Sequence, residues 1–175
     1  MRAALEPMSM AAIFILGSML STAKIELLSQ TDGHMISFQA EEVKFPFKGK
    51  NRYKNWIKTL AGQYQKRVGE LNYIFLTDEG LLTYNQTYLN HQTYTDIITF
   101  DTSEEDHILA GDIFISVDRI KENAQKFQVS EEKELLRVMA HGVLHLCGFR
   151  DKKKTEIEAM RQAEEQAIQL FFSLA

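Results

Sequence analysis

The sequence contains very little cysteine. One cysteine among 175 residues excludes an internal disulfide framework, a four-cysteine zinc site and an iron–sulfur cluster held by this chain alone. A reducing, cytoplasmic location is therefore expected. An excess of positive charge is also absent, because the net charge is -4 at pH 7. This net charge argues against a protein that binds nucleic acid through its overall positive charge, but it still allows a local basic patch.

The sequence has no strong candidate for a membrane span. The apolar run at residues 11–20, AAIFILGSML, has ten residues, whereas a bilayer needs roughly 20, so no membrane association is expected. We interpret residues 1–34 as an N-terminal extension, either a misplaced translation start or a weak signal-like segment with small residues at 21–23. A single folded domain is predicted over residues 35–175, a length that suits one hydrophobic core.

The spacing of apolar residues predicts an α/β (α+β) domain. Segments rich in β-branched and aromatic residues predict strands over 36–43, 71–76, 96–100 and 111–116, the last two as an antiparallel hairpin. Helical periodicity predicts helices over 51–68, 81–88, 117–127, 130–147 and 155–174, with Ser130 as the cap of the fourth. We expect one small mixed sheet of about four strands backed by helices, with the apolar fourth helix buried at the centre.

The segment at residues 140–151, AHGVLHLCGFRD, carries the main chemical signal. His141 and His145 are four residues apart, so both rings lie on one helix face, where they can share a metal ion. Gly148 is expected to end the helix and to let the chain double back, which could bring Asp151 to the same point. Two nitrogens and one oxygen with a fourth position open for water are typical of a catalytic zinc.

The histidine spacing alone is weak support for a metal site, because most such pairs are core or capping histidines. The glycine and the carboxylate that follow strengthen it. Gly142 stands where zinc proteases with an H-E-x-x-H motif carry their general base, and glycine cannot accept a proton. Proteolysis by that mechanism is therefore disfavoured.

These residues resemble the H-G-x-L-H-L-x-G-Y-D-H signature of the YbeY family of bacterial metallo-endoribonucleases, with Phe149 in place of the tyrosine. Upstream, residues 95–100, TDIITF, are similar to the family's T-D-V-L-S-F strand. Residues 111–116, GDIFIS, are similar to its G-D-I-x-I-S strand. The order and spacing of these segments agree with the family over about residues 35–174.

The resemblance implies a single-strand-specific, metal-dependent endoribonuclease that acts in 16S ribosomal RNA 3′-end maturation and in ribosome quality control. It implies one Zn²⁺ per chain, or another divalent metal, with single-stranded RNA, ribosomal RNA and the small ribosomal subunit as partners and no DNA. The implied metal ligands are His141, His145 and Asp151, where Asp151 replaces the family's third histidine. Leu89 stands where the family commonly has an arginine associated with activity, and leucine cannot hold a phosphate.

Two alternatives stay open at this point. The first is a ribosome-biogenesis factor with a structural metal and little cleavage activity, which Leu89 and Asp151 suggest. The second is a metallopeptidase-like hydrolase, which the helix-borne ligands favour and Gly142 disfavours. The residues do not assign a general base for catalysis.

Two basic segments are candidates for RNA contact. Residues 44–67 contain eight cations and no acid, interleaved with aromatic rings, and residues 150–154 place further cations around Asp151. Charge combined with stacking rings is what single-stranded RNA requires. A solvated helix face with aromatic core residues, or a solubilising loop, would give the same patterns. The candidate RNA-binding side chains are Arg52, Lys54, Lys58, Arg150, Lys152 and Lys153.

Overall fold

The structure is a computed structural model that describes residues 35–44, 46–89 and 92–174. The interpretation of residues 1–34 as an extension falls outside the described residues, so the predicted division of the chain stays a prediction. In chain order the elements are β1 (Ile36–Ala40), α1 (Lys50–Gln63), β2 (Arg67–Leu76), α2 (Asp78–Leu89), β3 (Ile97–Asp101), β4 (Ile108–Ser116), α3 (Val117–Phe127), α4 (Glu131–Leu146) and α5 (Lys154–Ser173). Across these described ranges, no helix combines the length and the apolar character needed to cross a membrane.

The four strands form one mixed sheet in the order β1-β2-β4-β3. β1 and β4 both pair with β2 in parallel, and α1 provides the crossover from β1 to β2. β3 pairs with β4 in the antiparallel sense, with Ile97 opposite Ile115 and Asp101 opposite Gly111. The predicted α/β fold class and the predicted hairpin are therefore confirmed.

Helix α4 lies against one face of this sheet, as its apolar sequence predicts. Val138, Met139 and Val143 are completely buried, and the hydroxyl of Tyr73 in β2 donates a hydrogen bond to the carbonyl of Met139 at 3.3 Å. A Cβ atom at Gly142 would lie 3.0 Å from the Ile113 side chain, so the missing side chain lets the helix approach the sheet closely. The helix that carries His141 and His145 is thus held at the centre of the domain.

Helix α5 packs against α4 and α1 and closes the core on its outer side. Trp56 of α1 is fully buried and donates from its Nε1 to the carbonyl of Ala167 at 2.7 Å. Burial of such large apolar side chains is worth on the order of 1.5–3 kcal/mol each. On the opposite face of the sheet, Leu81 of α2 covers Ile74 and Phe114.

Several predicted boundaries differ from the structure, and the two largest differences lie in one segment. The first helix was predicted to reach residue 68, but α1 ends at Gln63 and Gln65 has a φ of 58°. The next strand was predicted to start at residue 71, but β2 starts at Arg67, which pairs with Ile108 of β4. Strand pairing over a long sequence distance outweighs the local helical pattern in this segment.

Candidate metal centre

The end of α4 and the turn behind it build the site. Ser130 caps the start of the helix, since its Oγ accepts a hydrogen bond from the Lys133 N–H at 3.1 Å, as predicted. Helix α4 ends at Leu146, and two residues later Gly148 has a φ of 95°, a left-handed conformation that costs glycine little. The Phe149 ring then packs on Tyr64, the residue after α1, at a centroid distance of 5.2 Å. This contact anchors the returning chain.

The three predicted ligands lie together. The Nε2 atoms of His141 and His145 are 2.9 Å apart. Asp151 places Oδ2 at 3.8 Å from Nε2 of His141 and at 3.6 Å from Nε2 of His145. Ligands at zinc-bond lengths in a tetrahedral site are about 3.3 Å from one another. One ion therefore fits this triangle after shifts of a few tenths of an ångström.

The hydrogen bonds on the far side of each ring fix the direction of its lone pair. Nδ1 of His141 lies 2.6 Å from Oε1 of Glu164, and Nδ1 of His145 lies 3.0 Å from the carbonyl oxygen of Phe149. Because a carboxylate and a carbonyl only accept, we assign the proton of each neutral ring to Nδ1. Both Nε2 lone pairs then point at each other across 2.9 Å, an arrangement that repels unless a cation lies between them. The donor set fits a metal ion.

Burial assists this arrangement. Burial of the ring, followed by the neighbouring His141, lowers the pKa of His145 and favours the neutral imidazole that a metal requires. Burial also raises the pKa of Cys147 to about 11, so this residue carries a thiol rather than the thiolate that binds metals. Cys147 packs against the hydrophobic core. It is a packing residue next to the site.

Sequence reasoning missed the acid that holds His141. Glu164 of α5 is only 6% exposed, although it belongs to the apolar side of its helix together with the buried residues Met160, Ala163 and Ala167. An acid on an apolar helix face is the signal that could have identified it, since a buried carboxylate needs a partner. A carboxylate behind a metal-binding histidine is a recurring arrangement that fixes the ring and raises its basicity.

Arg137 joins Glu164 to a wider network of acids. Its Nη2 lies 2.8 Å from Glu134 and 3.0 Å from Asp96, and its Nη1 lies 3.7 Å from Glu164. Burial opposes the charge of the guanidinium, but these acids, with Glu134 first, outweigh burial and raise the pKa of Arg137. Arg137 stands four residues before His141 on the same helix face, so helical spacing could also have pointed to it.

The basic candidates fall into two groups. The side chains of Arg150, Lys152 and Lys153 are exposed beside Asp151, and the backbone N–H groups of Lys152 and Lys153 donate to Glu156 at 3.1 and 3.0 Å, which ties this loop to α5. The other three candidates lie on α1, with Lys58 exposed and Lys54 half-buried. The guanidinium of Arg52 lies 4.1 Å from the ring centre of Phe171, near the other end of α5.

The aromatic part of the RNA-contact hypothesis is wrong for α1. Tyr53 and Trp56 are 3% and 0% exposed and belong to the core. Phe47 and Tyr64 are half-buried and pack against the same core. Tyr53 and Trp56 therefore cannot stack on bases, because other side chains cover their rings. Leu89 is the last residue of α2, and the prediction for its side chain stays a prediction.

Comparisons with known proteins agree with the fold and the motif. A sequence model of the family described as Endoribonuclease YbeY matches residues 35–171. The protein named Endoribonuclease YbeY from Phocaeicola vulgatus is 50% identical over 136 residues, which covers 78% of this chain and 98% of that protein. Its namesake from Bacteroides thetaiotaomicron is 48% identical over 133 residues, with 76% and 96% covered.

A solved structure is also similar. The solution structure of TM1509 from Thermotoga maritima has a TM-score of 0.56 and 28% sequence identity, and the match covers 79% of this chain and 90% of that one. The family model extends over more than half of the chain, and the two bacterial relatives match along nearly their whole length. The chain belongs to the endoribonuclease YbeY family.

Proposed function

We propose that the protein is a single-strand-specific, metal-dependent endoribonuclease that acts in 16S ribosomal RNA 3′-end maturation and in ribosome quality control. Its substrate and partners are then single-stranded RNA, ribosomal RNA and the small ribosomal subunit. The name that its relatives carry, Endoribonuclease YbeY, supports cleavage of RNA. The cytoplasmic location stays a prediction from the single cysteine.

One observation carries the metal-dependent part of the proposal. Two imidazole Nε2 atoms lie 2.9 Å apart while the other nitrogen of each ring is held by an acceptor, and Asp151 completes the donor set. Two neutral imidazoles and one carboxylate are ligands that Zn²⁺ accepts, and the open fourth position is typical of catalytic sites. We therefore propose one Zn²⁺ per chain on His141, His145 and Asp151.

When bound, the ion would polarise a phosphoryl oxygen and lower the pKa of the water that attacks phosphorus. Residues of the chain would orient the metal ligands and attract the RNA. Glu164 and the Phe149 carbonyl orient the two rings. The exposed side chains of Arg150, Lys152 and Lys153 attract the RNA backbone to the loop that carries Asp151. Position 142 points at Ile113 of the sheet, so a general base of the zinc-protease type has no place there.

The test is cleavage of a labelled single-stranded RNA by the full-length protein, with and without a chelator. We expect cleavage by the wild type, loss of cleavage in His141→Ala and after chelation, and full cleavage in His107→Ala. His107 is a matched control because its side chain is 60% exposed and its partner is Glu105 rather than the site. Cleavage that persists after chelation would contradict metal dependence.

Elemental analysis of the same preparations identifies the metal. We expect about one zinc per chain in the wild type and loss of zinc in Asp151→Ala. Bound zinc without RNA cleavage would favour the ribosome-biogenesis alternative, and chelator-sensitive hydrolysis of casein would favour the metallopeptidase alternative. In cells that lack the protein, 16S ribosomal RNA with an unprocessed 3′ end is expected to accumulate.

A further inference from the structure

A cleft of about 170 Å³ opens beside the candidate metal centre. It contains two of the three candidate ligands, two arginines, the acid behind His141 and two apolar side chains. The residues that line it are Arg137, His141, Asp151, Ile157, Met160, Arg161 and Glu164. The lining thus places two guanidinium groups and two carboxylates next to the position where the reaction is proposed to occur.

The two arginines of the cleft differ in what they already bind. Arg137 is surrounded by Glu134, Asp96 and Glu164. Arg161 is exposed and forms neither an ion pair nor a hydrogen bond with any residue that the structure describes. Within the described part of the chain, none of the five N–H donors of its guanidinium has a partner, so each can bind a ligand.

The two carboxylates of the cleft, Glu164 and Asp151, already contact residues other than Arg161. Glu164 already contacts His141 at 2.6 Å and faces Arg137, and Asp151 is directed at the two imidazoles. Arg161 stands three residues before Glu164 on α5, which places the two side chains on the same side of that helix. The side chain of Arg161 therefore extends from a helix, one turn away from Glu164, whose carboxylate contacts the candidate ligand His141. This placement suits an incoming anion, and a guanidinium fork matches a phosphate group.

We propose that Arg161 binds a phosphate group of the RNA backbone in this cleft and so positions the strand beside the metal centre. The proposal rests on the proposed function and adds a substrate-binding residue to it. The cations of the 150–154 loop would then attract the strand, while Arg161 holds one phosphate from a fixed helix.

The test compares Arg161→Gln, Arg161→Lys and the wild type on one fluorescein-labelled single-stranded RNA, with zinc present. Loss of a bidentate, charge-assisted contact is expected to lower kcat/KM by about 10- to 100-fold in Arg161→Gln, mainly through KM, and less in Arg161→Lys. The plot of log kcat/KM against log salt concentration should become less steep by about 0.7, the contribution of one phosphate contact on a single strand. The zinc content should stay that of the wild type.

Lys121→Gln is the matched control, because it removes one positive charge from an exposed position on α3 that does not line the cleft. It should retain the kinetics of the wild type. If the wild type cleaves RNA and Arg161→Gln matches it in kcat/KM and salt dependence, the assignment of Arg161 is overturned while the proposed function stands. Loss of zinc in Arg161→Gln would also overturn it, since the residue would then act on the metal centre. Absence of cleavage by the wild type would refute the proposed function itself.

Discussion

Replacement of Glu164 by glutamine tests how the site controls its own affinity for metal. The carboxylate accepts a hydrogen bond from Nδ1 of His141 at 2.6 Å, a short distance typical of a charge-assisted bond. Glutamine has the same size and can still accept from Nδ1–H, so the ring keeps its orientation. What is lost is the negative charge that strengthens the opposite nitrogen as a metal ligand. Glu164→Gln is therefore expected to weaken metal binding without unfolding the protein.

The magnitude follows from the two kinds of hydrogen bond. A bond to a charged group contributes about 1.5–3 kcal/mol and a neutral one about 0.5–1.5 kcal/mol, a difference of roughly 1–1.5 kcal/mol. Since 1.4 kcal/mol is a factor of ten, metal affinity should fall about tenfold, within the range of about 10- to 100-fold seen for partners behind metal ligands. The cost to stability should stay small, because Arg137 keeps Glu134 at 2.8 Å and Asp96 at 3.0 Å.

The assay is competition between the metal-free protein and a zinc-binding dye at constant pH. Glu165→Gln is the matched control, since it makes the same change at the next residue, where the side chain is half exposed and pairs with Lys133 at 3.3 Å. The control should bind zinc as tightly as the wild type. Equal affinities for Glu164→Gln and Glu165→Gln would refute the reasoning that Glu164 strengthens His141 as a ligand.

Two further predictions concern the scaffold around the site. Gly111→Ala should destabilise the domain by about 1–3 kcal/mol in urea unfolding, because its Cβ would meet the backbone oxygen of Phe100, which cannot move without separating β3 from β4. Gly62→Ala should instead be neutral or stabilising, because among the described residues its Cβ would meet no atom within 4 Å outside the adjacent helix backbone. The third prediction concerns the pH dependence of stability. Burial alone would raise the pKa of Asp78. Hydrogen bonds, first of all from Arg119, outweigh burial and hold this pKa below its ordinary value. The ion pair therefore stabilises the fold above about pH 3.9 and its contribution disappears as pH falls towards the lowered value. Asp78→Asn should be less stable than the wild type at pH 7, and unfolding curves that show the same difference at low pH would contradict the assignment.

The sequence alone was ambiguous where one pattern fits two environments. The rings and cations of residues 44–67 could equally describe a base-stacking surface or a helix with one buried face. The contact between α1 and α5, in which Trp56 donates a hydrogen bond to the carbonyl of Ala167, shows that this face of α1 is buried. In the same segment, Arg67 joins β2 because β4 is available to pair with it. The helical spacing of apolar residues gives no information about a strand partner that lies some 40 residues further along the chain.

The sequence by itself determined the part of the site that depends on local geometry. The four-residue spacing of His141 and His145 follows from the helical period, and the turn at Gly148 follows from the left-handed φ that glycine accepts. Only the tertiary structure decided what surrounds them. Glu164 reaches His141 from a different helix, and Asp96 reaches Arg137 from the bend just before β3. The physical reason is that a buried charge is stable only beside its partners, and packing of distant segments brings those partners together.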